Sequence, residues 1–201
     1  MNTELIATTA IAAAVAWGAG LRLYAVVFAL GMLHRLDVMP LPPSLEMLAH
    51  PLVMGVAGLF ALAEFFGDKV PWIDSISDAV HTFIRIPAGA ALAAAFFADG
   101  NAAVQTMALL MGGSLAAGSH IAKAGSRAIL NTSPEPVTNV VASLGEETLL
   151  VSGGWLAYQH PLIFLVMLTL FMITVAYFMR RLWRAFRNRS KKESIKERLQ
   201  A

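Results

Sequence analysis

Cysteine is absent from the chain, which excludes disulfides, thiolate metal sites and a cysteine nucleophile. Charge is scarce: 14% of the residues are Asp, Glu, Lys or Arg, against about 25% in ordinary soluble domains. The first twenty residues carry Glu4 and no Lys or Arg. They lack the basic leader region of a secretory signal and read as part of the mature chain. Neither H-E-x-x-H nor G-x-S-x-G occurs, so no recognised catalytic motif supports an enzyme, and no cofactor is implied.

What remains is largely apolar. Hydrophobic residues make up 57% of the 201, and a mean hydropathy of +0.64 over that length needs long apolar stretches rather than one buried core. The expected fold class is all-α, a polytopic transmembrane bundle with about six segments, since a spanning helix needs about 20 mostly apolar residues. Residues 4–33 qualify apart from Gly18-Ala19-Gly20-Leu21-Arg22, and form either one long helix or a broken, re-entrant pair. After Pro40, Pro42 and Pro43, His50-Pro51 opens a second segment to Phe66, Pro being suited to a first helical turn. A third covers 72–98 with Pro87 inside it, and a fourth covers 102–131 with a break at Gly112-Gly113 to Gly118. A fifth covers 137–158, and His160-Pro161 opens a sixth that runs into the tail.

Charge is distributed unevenly. Residues 180–201 hold nine Lys/Arg and two Glu, and the rest of the chain holds six basic and eleven acidic residues. The positive-inside rule then places the C-terminus in the cytoplasm, with Trp183 and Phe186 at the headgroup layer. A solvated anchor is the reading preferred to nucleic-acid binding. The organisation is one transmembrane domain over 1–185, with halves at 1–99 and 100–185, and a basic tail over 186–201. A faint internal echo supports the halves: Ala19-Gly20 with Arg22 recurs as Ala117-Gly118 with His120, and His50-Pro51-Leu52 as His160-Pro161-Leu162. Paired, interrupted helices in inverted halves point to a transporter's central site.

Ionisable groups at bilayer depth cost roughly 2.5–3.5 kcal/mol at a helix centre on insertion scales, and persist where they pair, line a wet cavity or act. Asp74, Asp78, His81 and Arg85 fall at steps of four, three and four, on one face of the third helix. His120, Lys123, Arg127 and Asn131 follow at steps of three, four and four on the fourth. One reading sets Asp74 and Asp78 against Lys123 and Arg127 as a structural ion-pair network. Another lets Lys123 and Arg127 snorkel to the interface. The functional reading has Arg22, Arg85, Lys123 and Arg127 surround a cavity for an anionic group, with His81, His120 and Asn131 as further binding residues. Glu146 or Glu147 would couple to protons if burial raised its pKa, although Ser143-Leu144-Gly145-Glu146 also reads as a capping box opening a helix.

The stretches Gly20-Leu-Arg22-Leu-Tyr24, Asp68-Lys69-Val-Pro71-Trp72-Ile-Asp74 through Ile86-Pro87-Ala-Gly89, and Gly118-Ser-His120 through Pro134-Glu-Pro136 resemble the bacterial "domain of unknown function 4126" family. The resemblance covers nearly all of the chain before about residue 185. It implies an integral protein of the bacterial inner membrane and carries no activity. Glu64-Phe65-Phe66-Gly67-Asp68-Lys69 is also similar to the Glu-x-Gly-Asp-Lys-Ser/Thr signature of a family of Mn²⁺/Ca²⁺ transporters. It has one residue more before Gly67, and Val70 stands where the hydroxyl should be.

The leading expectation is a small transporter or flippase-like protein for an anionic, phosphate-bearing or lipid-linked substrate. Its partners would be membrane lipids and that ligand, without nucleic acid. The alternatives are a divalent-cation transporter using Glu64, Asp68, Asp74 and Asp78 as oxygen ligands, a lipid-headgroup enzyme using His81 and His120, and a non-catalytic scaffold. For a scaffold or homo-oligomer, the Gly/Ala-rich faces at Ala88–Ala95 and Gly112–Gly118 would allow close packing.

Overall fold

The computed structural model describes residues 2–68, 71–130 and 136–200, with the side chains of 3–68, 80–130, 137–184 and 187. Six α-helices follow one another: α1 (Asn2–Arg35), α2 (Pro51–Gly67), α3 (Pro71–Ala95), α4 (Ala102–Leu130), α5 (Pro136–Gln159) and α6 (Pro161–Gln200), with a short 3-10 helix, Pro43–Ala49, before α2. The protein is an all-α helical bundle. Pro51 and Pro161 stand at the first positions of α2 and α6, where a missing N–H costs nothing. At α2, His50 Nδ1 accepts the Leu52 N–H at 3.2 Å and caps the helix start.

The centre of the bundle is α1. It is apolar on all sides, as a helix surrounded by others must be, and it packs against α2, α3, α4, α5 and α6. One core cluster gathers Leu23, Val26 and Leu30 of α1 with Met39, Leu41, Leu45 and Leu92. A second joins Ala10, Ala14, Trp17 and Leu21 to Ala157, Phe164 and Leu168. Trp17 meets Phe164 and Phe171 edge-on at 6.3 and 6.4 Å, which ties α1 to α6.

Small residues set the spacing of α1, α3 and α4. A Cβ on Gly20 would stand 2.0 Å from Ser119 Oγ and 2.2 Å from the Ala116 carbonyl oxygen, so α1 and α4 touch backbone to backbone there. Gly112 likewise lies against Ala93 and the Gly89 carbonyl of α3. This corrects the expectation of a broken α4: the helix is continuous through Gly112–Gly118, and its glycines permit close approach. The capping box is corrected too, because α5 starts at Pro136 and Ser143 lies inside it.

Thr3–Arg35 and Pro161–Arg184 are long and apolar enough to cross a membrane, and Pro43–Ala49 with Pro51–Gly67, bent by 67°, makes up to a third such span. These apolar helices mark a membrane protein. Helices α3, α4 and α5 carry the polar groups described below, which lower their hydropathy. Of the apolar window in α6, 11% is buried, against 61% in α1.

Candidate functional site

The long first helix is interrupted at one residue. Arg22 takes φ −149°, ψ 82° between two helical halves, so residues 4–33 form a single helix broken at Arg22 rather than a folded-back pair. The carbonyls just before the break are met from α4: Ser119 Oγ donates to Trp17 O at 2.7 Å, and Lys123 Nζ to Leu21 O at 3.4 Å. A cation against a helix end that presents carbonyls is favourable.

The Arg22 guanidinium projects into the bundle, where 2% of the residue is exposed. Its Nη2 lies 2.9 Å from Asp68 Oδ2 and donates to Ser143 Oγ at 2.9 Å, with Glu147 Oε1 at 3.4 Å and Glu146 Oε2 at 3.7 Å. Asp68, the residue that ends α2, is the hub. The same Oδ2 accepts from Lys123 Nζ at 2.9 Å and lies 3.7 Å from Arg127 Nη2, and the Asp68 carbonyl accepts from Arg127 Nη1 at 3.0 Å. Arg127 Nε donates to Glu146 Oε1 at 2.8 Å, and its Nη1 reaches Asn139 Oδ1 at 3.3 Å. Lys123 Nζ stands 3.3 Å from Glu146 Oε2.

A second knot adjoins the first through α4. Arg85 pairs with Glu64 across α2 and α3, both side chains being buried, and its Nη1 lies 3.3 Å from His120 Nδ1. A guanidinium can only donate. His120 Nδ1 therefore accepts, and in neutral His120 the proton sits on Nε2, 2.7 Å from Thr82 Oγ1. His81 packs its ring against Tyr24 at 5.6 Å, and Tyr24 stacks on Phe60 at 4.9 Å.

Among the described residues, four cations (Arg22, Arg85, Lys123, Arg127) thus face four carboxylates (Glu64, Asp68, Glu146, Glu147). All are buried except Glu147, whose side chain is 30% exposed. It lines a groove with Val151 and Trp155 of α5. Among the described residues, Asp68 and Glu146 answer Lys123 and Arg127. The side chains of Asp74 and Asp78 lie outside the described residues, as does Asn131. Snorkelling does not occur, since the Lys123 and Arg127 side chains are 0% and 2% exposed. Where the sequence led us to expect four cations around a cavity for an anion, internal carboxylates occupy the anion's place. As for a metal, Glu64 and Asp68 are engaged by cations, and no group of three His, Asp or Glu among the described residues is placed to hold one.

Ser119, Thr82 and the backbone of Leu21 were not foreseen in the site. Hydroxyls in apolar helices usually bond their own backbone four residues back, as Thr106, Ser114 and Thr148 do here, so their residue type alone gives no signal.

The family model described as "Domain of unknown function (DUF4126)" matches residues 9–181. The chain belongs to this family. Every residue of the two knots lies inside the DUF4126 match, and the basic tail lies beyond it. Comparison with curated proteins and with solved structures finds no match.

Proposed function

We propose that this DUF4126 protein is a small membrane transporter, flippase-like in action, for an anionic and phosphate-bearing substrate. The observation that carries this reading is the arrangement at Arg22. A central membrane helix is interrupted there, and the freed residue joins three other cations with internal carboxylates as exchangeable partners. Interrupted helices near the bilayer midplane are where transporters place substrate and coupling ions. The carboxylates of Glu146 and Glu147 act as place-holders: they neutralise Arg22, Lys123 and Arg127 until a phosphate, matched to the donor fork of Arg, displaces them. Helix α5 suits this exchange, because it carries both glutamates and touches α4 only sparsely. Glu147, the partly exposed member, is the carboxylate most readily displaced. We place the protein in the bacterial inner membrane with its basic C-terminus in the cytoplasm. Of the carboxylates in the divalent-cation alternative, Glu64 and Asp68 are bound to cations, so no observation favours that reading.

The test is anion binding and flux in proteoliposomes, with glycerol 3-phosphate as the probe. Glu147→Gln removes a competing carboxylate and tightens binding several-fold, whereas Arg22→Gln abolishes it. A protein whose binding is indifferent to both changes has a purely structural network, and the scaffold reading then takes precedence.

A further inference from the structure

A groove of about 660 Å³ opens between α1, α2, α3 and the 3-10 helix. That volume falls within the roughly 300–1,000 Å³ of small-molecule sites. Its walls are Leu, Val and Ala side chains, with Tyr24 as the one polar-tipped residue. In a membrane protein the mouth of such a groove meets hydrocarbon rather than water, and an unfilled apolar channel forfeits dispersion contacts on every wall.

The direction of the groove identifies its occupant. On α2, the wall residues Val53 and Ala57 continue in steps of three and four through Phe60 to Glu64. On α3, the wall residues Ala95, Leu92 and Ala88 continue in the same way to Arg85. Glu64 and Arg85 are paired. The two groove faces therefore lead, at one end, toward the charged knot, with Phe60, stacked on Tyr24, between Ala57 and Glu64 along α2. At the other end lies Leu45, beside Ser44, whose hydroxyl donates to Ala95 O at 2.6 Å. Tyr24 sits two residues beyond the Arg22 break, with its ring between Phe60 and His81. An apolar channel whose walls lead on to a cluster of charges has the shape of an amphiphile.

We infer that this groove holds a single hydrocarbon chain of a lipid whose phosphate head is the anion handled by the charged network, so that the substrate is a lipid rather than a free phosphate. For the head group this rests on the reading given under Proposed function. The chain lies along α2 and α3, and the head meets the cations at the Arg85 end.

The experiment uses the full chain in phosphatidylcholine nanodiscs doped with 1-palmitoyl lysophosphatidate or with 1-palmitoylglycerol. Native mass spectrometry counts the doped lipid that stays with the protein on release. Glycerol 3-phosphate binding is measured alongside. Ala91→Phe and Val56→Trp fill the groove from exposed positions, so the buried core is untouched. Wild type is expected to retain one lysophosphatidate per chain. Both variants should lose that retention at least tenfold while binding glycerol 3-phosphate as wild type does. Retention unchanged in both variants overturns the groove as the chain site, and glycerol 3-phosphate binding then decides the anion reading on its own. Groove-dependent retention of 1-palmitoylglycerol without any glycerol 3-phosphate binding supports the chain site and overturns the phosphate head.

Discussion

Asp68 carries one negative charge and stands within 4 Å of three cations, Arg22, Lys123 and Arg127, so its neutralisation takes a partner from all three and leaves one more buried positive charge than before. Breaking a buried pair from one side costs about 3–5 kcal/mol, because the partner stays behind desolvated. Asp68→Asn should destabilise the protein by about that much, read from its unfolding midpoint in mixed micelles. Adding Lys123→Met should recover part of the loss, since it removes one of the stranded cations. Full additivity of the two changes would show that they do not share an interaction. Glu147 is partly exposed, and Glu147→Gln should cost no more than about 1 kcal/mol, as for other solvent-screened pairs. His120 gives a prediction of a different kind. With Nδ1 accepting from Arg85, nitrogen-15 NMR of labelled histidine should show neutral His120 as the Nε2–H tautomer. An Nδ1–H signal would mean that Arg85 and His120 do not share that bond.

Helix contacts decide which glycines matter. Gly20 has the Ser119 side chain and the Ala116 backbone where a methyl would go, whereas Gly125 and Gly145 have open space. Gly20→Ala should push α1 from α4 and cost about 1–3 kcal/mol, the usual penalty for overpacking. Gly125→Ala and Gly145→Ala should stabilise their helices by about 0.5–1 kcal/mol through reduced backbone entropy. Thermal unfolding of the three variants side by side checks this, and equal behaviour would show that α1 and α4 are not held at backbone contact. The same contrast marks how far the sequence can be read. Helix existence and starts were visible, because apolar length and the His-Pro pairs act locally. The four cations were visible too, since charge is scarce in the apolar helices that carry them. Asp68 and Glu146 as partners of Lys123 and Arg127 were not, because they come from the end of α2 and the middle of α5, which helical periodicity along α4 does not reach. Ser143 and Gly112–Gly118 misled for a related reason: a cap and a helix interior share one local pattern, and glycine serves packing as readily as breaking.

Taken whole, the bundle is uneven in how it meets its surroundings. Helix α1 is enclosed by five others, while α6 leaves Ile163, Val166, Leu170, Ile173 and Tyr177 exposed. Water does not tolerate an apolar face of that length on a monomer, and lipid does. A membrane-soluble carbene reagent should therefore label α6 heavily and the stretch Ala10–Leu21 of α1 weakly. Reversed labelling would mean that α6 is covered by another chain and that α1 is reached from the bilayer.

The interruption at Arg22 also bears on how the protein is made. On leaving the ribosome, α1 carries a cation mid-helix that costs roughly 2.5–3.5 kcal/mol to insert alone. Ser143, which accepts from that guanidinium, lies 121 residues later. At about 5–20 residues per second, Arg22 waits about 6–24 seconds for α5 to be synthesised. Asp68 at the end of α2 can answer the charge earlier, but the Ser143 bond and the Glu146 and Glu147 contacts must wait for the fifth helix, so the final surroundings of Arg22 are set late. The centre of this bundle is the first part to be translated and among the last to settle.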